Sequence, residues 1–301
     1  MNWKAVLAIL TCNVVLMSAS YTMLIPFLPM YLINELGVTS DNVNMWSGII
    51  FSVTFIVSAV MAPIWGKLSD KKGRKPMAVR AGVGLAITYF ICGIVSSPIQ
   101  LMFARILQGF AAGLWPAELA IMSSYAPKEK LGFCMGVMQG ALTAGGVIGP
   151  LLGGVLASVF GMRVSFFISA GALALITLIT LIFIKEPPRE AKTPEQLALA
   201  KEAEKVNLLK VPMIRRMLEC AVVIQMAILI LQPILTLYVA ELHHSMDNVI
   251  MLSGMVFSLG GFAGAISAPL WGRYGQSHGF FRTMCITLAG TRFYFNHSIH
   301  T

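Results

Sequence analysis

Long apolar blocks alternate with short polar stretches along the whole chain. The blocks predict helices over residues 5–33, 43–65, 77–96, 99–123, 131–158, 163–184, 213–240 and 249–271, with a ninth beginning near Phe281. A helix needs about 20 residues to cross a bilayer, and each complete block is long enough. The expected fold class is therefore an all-α polytopic membrane protein. The first block is too long for the apolar core of a signal peptide. It also has a single lysine before it and no convincing small-residue cleavage site. Pro26 and Pro29 lie in its outer half and predict a kink there.

One segment occurs twice. Asp41–Lys67 recurs 206 positions later as Asp247–Arg273, with 13 of 27 positions identical and no gap. A duplicated membrane segment predicts a transporter built from two homologous halves. Two units of 206 residues make 412, against 301 in this chain. By the same ruler Thr283–Gly290 corresponds to Met77–Gly84 at the start of helix three. The first copy continues as LAITYFICGIVSS, a clean span, whereas the second continues as TRFYFNHSIHT, which is expensive to insert. The expectation is a truncation or frameshift near Gly290, leaving eight complete helices and a stub. The domains expected are a six-helix bundle (1–186), a central linker (187–212) and a shortened second bundle (213–301).

Charge refines the topology. Only 12% of residues are charged, against about 25% for an average soluble domain, while 57% are hydrophobic. A soluble protein of this size could not hide so much apolar surface in one core. The net charge of +9 is concentrated in the loops after helices two, four and six, while Glu35, Asp41, Glu241 and Asp247 occupy the alternate loops. Arg163 is the basic exception. Such alternation is positive-inside topology rather than a nucleic-acid surface, so the N-terminus and the central loop are expected in the cytoplasm. Within that loop, Thr193-Pro194-Glu195 predicts a helix start, and the residues after it an amphipathic helix or a solvated linker. Cys12, Cys92, Cys134, Cys220 and Cys285 lack metal-ligand spacing and read as small buried apolar residues.

The loop after helix two reads Gly66-Lys-Leu-Ser-Asp70-Lys-Lys-Gly73-Arg74-Lys75-Pro76. Its glycines allow a tight turn, and Asp70 has cations around it that can pair with it. No strand precedes it, so a phosphate-binding loop is a poor reading. The stretch resembles the cytoplasmic signature of the major facilitator superfamily. Leu101-Met-Phe-Ala-Arg105-Ile-Leu-Gln108-Gly109 is similar to that superfamily's fourth-helix pattern with a buried arginine. Gly145-Gly-Val-Ile-Gly149-Pro150-Leu-Leu-Gly153-Gly154 resembles the fifth-helix motif of its drug:proton antiporters. The resemblance covers about residues 1–290 and is to the twelve-helix bacterial multidrug-efflux branch. It implies the major facilitator fold: a complete N-terminal six-helix bundle, the first two helices of the C-terminal bundle, and a stub of the third. In the second copy the loop has Gln276 where the first has Asp70.

Gly145, Gly149 and Gly153 are spaced by four, so they share one helix face and permit close packing, while Pro150 bends the helix. Packing alone would explain the glycines; with the proline, the antiporter reading is favoured. Arg105 should face the bundle interior, since a bare guanidinium in a membrane costs about 2.5–3.5 kcal/mol. The resemblance implies a role for it in proton coupling; the alternative is an arginine satisfied by carbonyls. Glu118 is the only carboxylate well inside a complete helix, 13 residues from Arg105. It is the best proton-carrier candidate, though a glutamate reaching water or Lys128 is an open alternative. The motif fixes no acid at this position.

A substrate cavity between the halves would draw on Tyr21, Trp115, Met138, Gln139, Gln225 and Gln232, although each taken singly reads more readily as helix packing. The 19 methionines suit a deformable pocket for amphipathic small molecules. No nucleophile–base pair or metal cluster is evident, so neither an enzyme nor a cofactor is expected. The leading expectation is proton-coupled multidrug efflux across a bacterial cytoplasmic membrane, in a fragment that transports poorly alone. Asp70 would latch the cytoplasmic side against the eleventh helix, absent here. The rivals are a sugar or metabolite transporter of the same superfamily and a non-functional truncated gene product.

Overall fold

The computed structural model describes residues 2–23, 28–186, 211–223, 226, 249–280, 282–284 and 286–287. The described residues are mostly helical, with no strand among them. Their helices are α1 (Trp3–Thr22), α2 (Leu28–Asn34), α3 (Ser40–Lys72), α4 (Arg74–Ile94), α5 (Pro98–Ala111), α6 (Leu114–Tyr125), α7 (Leu131–Phe160), α8 (Met162–Phe183) and α9 (Val249–His278). Residues 212–223 are also helical. Five helices are long and apolar enough to cross a membrane among the described residues: α1, α3, α4, α7 and α8.

The helix starts follow local chemistry. Asn2 caps α1, its side-chain oxygen accepting from the Lys4 amide at 3.1 Å. Ser97 caps α5 in the same way, with Pro98 at the first helical position, where no N–H is needed. In return, the Gln100 side chain accepts from the Ser96 amide at 2.9 Å.

Four helices differ from expectation, the last of them running on as α9 to His278 in place of ending at 271. Predicted helix two runs on to Lys72, through the loop that was expected to turn at both ends. Gly66 is helical, because a glycine inside a helix costs only about 1 kcal/mol and the residues after it are mostly good helix formers. Gly73 alone makes the turn, at φ +111°. Predicted helix four is two helices, α5 and α6, parted at Ala112–Gly113. Gly113 takes a left-handed φ of +118°, and Pro116 in the next turn has no N–H to continue the ladder. Predicted helix one contains α1 and α2; Pro29 lies in the first turn of α2, where it is tolerated, and Pro26 lies outside the described residues.

By contacts the chain forms two compact units, Met1–Pro187 with Ser258–Thr301, and Pro188–Phe257. In the first, α1 packs on α7 and α8, α4 on α5, α6 and α8, and α3 on α5. Its core includes Leu10, Tyr31, Tyr89, Ile121, Met138, Phe166 and Leu173. Large apolar side chains also point outward, among them Phe55, Ile56, Val60, Val155 and Ile182. An apolar outer face is normal in lipid, where helices gain nothing by hiding it. For this reason the cysteines divide: Cys92 and Cys134 are buried, but Cys12 and Cys220 are exposed on apolar helices, correcting the expectation that all are interior. In the second unit, residues 212–223 carry an exposed Arg215–Glu219 pair one turn apart. The expected linker helix over residues 193–210, Gln225, Gln232, Cys285 and the tail beyond 287 lie outside the described residues.

Candidate functional site

Glu118 is completely buried in α6, and neither carboxylate oxygen is satisfied by a geometric hydrogen bond among the described residues. Beside it stands Asn13 of α1, also fully buried. Asn13 donates its amide to Thr180 of α8 at 2.8 Å, while its own side-chain oxygen is unsatisfied. Three helices thus meet at a carboxylate, an amide and a hydroxyl, surrounded by apolar side chains such as Leu10, Ile121 and Met122. Buried polar groups are ordinarily paired, so a buried carboxylate beside an asparagine with an unsatisfied oxygen marks a place where binding a proton removes a costly charge. Glu118 was expected from the sequence; Asn13 was not. The signal was available, as an asparagine inside an apolar span.

Arg105 lies elsewhere. It is half-buried on α5 and donates to Gln108 at 2.8 Å, while its Nε has no partner among the described residues. It shares a small cavity with Tyr21, Ile50, Thr54 and Phe55. Tyr21 and Arg105 are therefore brought together, as a polar pair inside the bundle. Gln108, almost fully buried, is the neighbour that positions the guanidinium. Arg105 and Glu118 make no direct bond, and the break at Gly113 separates their helices. Trp115 is half-buried against the core, Met138 is fully buried within it, and Gln139 is exposed one residue further on.

The basic loop is built more elaborately than its spacing suggests. Glu186, just after α8, accepts from the Arg74 and Lys75 amides at 2.7 and 2.8 Å, capping α4. A Cβ on Gly73 would sit 2.6 Å from the Glu186 carboxylate, so the glycine is required twice, for its φ and for this approach. The Arg74 guanidinium reaches the Ala120 carbonyl and the Ser123 and Ser124 hydroxyls at the end of α6. Arg80 lies 3.7 Å over the Trp65 ring and donates to the Ala112 carbonyl at 3.0 Å. Trp65 donates to the Phe110 carbonyl at 2.8 Å, so the two side chains satisfy carbonyls freed by the break after α5. Asp70 stands exposed one turn before Gly73.

The α7 glycines face α1. Added Cβ atoms would lie 2.7 Å from Ser18 Cβ at Gly145, 2.6 Å from the Ala19 carbonyl at Gly149, and 2.6 Å from Met23 Cγ at Gly153. Pro150 lies inside α7 on this same stretch. On the other side of α7, Gly132 and Gly136 meet α9 at Gly272 and Ala268. There Gln276 accepts from the Gly132 amide at 2.8 Å and donates to the Lys128 carbonyl. An aspartate could accept but not donate, which accounts for the amide at this copy of the loop. At the opposite end of the bundle Arg163 pairs with Glu35 at 2.7 Å, so the one basic exception in the charge pattern carries its own counter-ion.

Residues 10–293 match the family model for the Major Facilitator Superfamily. Multidrug resistance protein MdtG of Enterobacter lignolyticus is 38% identical over 280 residues, covering 92% of this chain and 66% of the relative. The protein of that name in Escherichia coli is 38% identical over 280 residues, 92% and 68% of the two chains. In Proteus mirabilis it is 35% identical over 288 residues, 95% and 71% of the two chains. The chain thus spans about two thirds of the length of these relatives. The human organic anion transporter MFSD10 shares the fold, with a TM-score of 0.70 at 17% identity, covering 91% of this chain and 73% of that one. With its helices packed in that fold and the family match running almost end to end, the chain belongs to the Major Facilitator Superfamily, a family of multi-pass membrane transporters.

Proposed function

We propose that this chain is part of a proton-coupled efflux transporter for amphipathic small molecules in a bacterial cytoplasmic membrane, with its N-terminus in the cytoplasm. The names of its relatives support multidrug efflux. The observation that carries proton coupling is the buried, unpartnered Glu118 carboxylate at the junction of α1, α6 and α8. Ionised, it has at most the neighbouring Asn13 amide to offset desolvation; protonated, it no longer carries a buried charge. Proton binding and release would therefore change how these three helices hold together. Arg105 and Tyr21 form a second polar point, where developing charge or a polar drug group can be met. The glycine face with Pro150 lets α7 slide closely on α1, and Asp70 with Gly66, Gly73 and Arg74 forms the cytoplasmic gating loop. Six spans up to 186, a linker to 212 and the remainder as part of a second bundle is the domain organisation we adopt.

The test is dye efflux in inverted membrane vesicles, using the chain completed with the remaining length of the Escherichia coli relative. Glu118→Gln is expected to abolish efflux driven by a pH gradient while leaving membrane expression intact. Undiminished efflux in that variant removes Glu118 from the mechanism. Transport of sugars in place of dyes removes the drug assignment.

A further inference from the structure

A second cavity, of about 750 Å³, opens where α1 and α7 begin and α9 ends. Its walls include Trp3, Lys4, Lys128, Lys130, Phe133 and Arg273. Four cations line it against one acid, Glu129, and none of the four forms an ion pair with a described residue. The N-termini of α1 and α7 add the positive ends of two helix dipoles, only partly offset by the C-terminus of α9. Gathering like charges in a concavity is unfavourable unless an anion occupies it. The walls are also tied together, by Gln276 of α9 bonding Gly132 and the Lys128 carbonyl. This cavity is separate from the Glu118 and Arg105 clusters and takes no part in the function proposed above.

Its position indicates the occupant. Trp3 and Phe133 lie in the first turn of two membrane-spanning helices. Aromatic side chains there sit at the level of lipid headgroups, where an apolar wall meets a charged one. We propose that the cavity binds the phosphodiester headgroup of an anionic phospholipid from the leaflet beside the basic loops. The lysines and Arg273 neutralise the phosphate, and the two rings contact the glycerol and upper acyl segments. Near an anionic membrane surface each lysine strengthens binding about fivefold, so three together account for about a hundredfold.

The experiment measures lipid binding to the purified 301-residue chain in detergent, by native mass spectrometry and by tryptophan quenching with a labelled phosphatidylglycerol. The expected result is retained phosphatidylglycerol, no retained phosphatidylcholine, and no displacement by millimolar inorganic phosphate. Lys4→Gln with Lys128→Gln and Lys130→Gln should weaken phosphatidylglycerol binding by at least about tenfold. Removing three charges from the linker instead, as Lys192→Gln, Lys201→Gln and Lys205→Gln, should leave it within about twofold. Glu129→Gln should tighten binding about fivefold, a gain that a misfolded chain cannot give. Wild-type binding by the cavity triple variant, an equal loss in the linker variant, or unchanged affinity in Glu129→Gln would each overturn the site. Displacement by inorganic phosphate would overturn the lipid as its occupant.

Discussion

Leaving a carboxylate buried and unpaired costs several kcal/mol when it is ionised. Glu118 therefore stands out as the one carboxylate among the described buried polar residues. Glu118→Gln keeps the shape and removes the charge. In detergent its thermal midpoint should stay level or rise by the equivalent of about 1 kcal/mol, while gradient-driven efflux falls. A midpoint several degrees lower would mean the carboxylate is structural. Asn13→Leu should likewise alter proton-driven efflux, through the polar neighbour of the carboxylate. The Arg163–Glu35 pair makes the opposite case. Both side chains are about one third exposed, so Glu35→Gln should cost at most about 1 kcal/mol and leave efflux unaltered. The carboxylate at 118 was legible in the sequence because a lone acid in an apolar block is conspicuous. Its polar surroundings were not, because Asn13 and Thr180 lie 105 and 62 residues from it, and sequence spacing carries no information about which helices touch.

Among the helices, α7 depends on the absence of side chains. Gly149→Val would drive a branched side chain into the Ala19 carbonyl and the Thr22 hydroxyl of α1. The expected cost is about 1–3 kcal/mol, read as lower thermal stability and lower membrane yield. Gly264→Ala on α9, whose added Cβ has only ordinary contact with Thr143, serves as the tolerated control. Gly113 is required for its backbone. Gly113→Ala would hold an L-residue at φ +118° at a cost of about 1–2 kcal/mol, loosening the joint between α5 and α6. The glycine spacing on α7 was readable from sequence, since a four-residue repeat defines a helix face. The broken fourth span was missed, although Gly113 followed by Pro116 is a stop-and-start signal, because hydropathy runs unbroken across it.

At the scale of the whole chain, the alternation of basic and acidic loops makes a directional prediction. In a cysteine-free background, Gly37→Cys should react with a membrane-impermeant maleimide added outside intact cells. Lys72→Cys should react only after the membrane is opened. Labelling in the reverse order would invert the topology proposed. The duplicated segment at 206 residues also predicts equivalent roles for equivalent positions, and Gln276 shows where equivalence ends. It occupies the place of Asp70 in the repeat, yet bonds as an amide to both a donor and an acceptor on the α7 side. Gln276→Glu should weaken this contact by about 1–3 kcal/mol, since the Lys128 carbonyl then loses its donor, and should be detectable as faster proteolysis near Lys128.

Hydropathy, charge alternation and the internal repeat are one-dimensional properties, and they sufficed to set the all-α membrane class, while the motifs carried the resemblance to the superfamily. Each arises from how a single segment meets lipid or water, so a segment's own residues decide it. Tertiary structure decided which polar groups meet inside the bundle: Glu118 with Asn13, Asn13 with Thr180, Arg105 with Tyr21, Glu186 with the start of α4. In lipid every helix is apolar on its outer face, so hydrophobic pattern alone cannot select neighbours. Close approach at glycines and pairing of the few buried polar groups select them instead, and both exist only once the helices are packed.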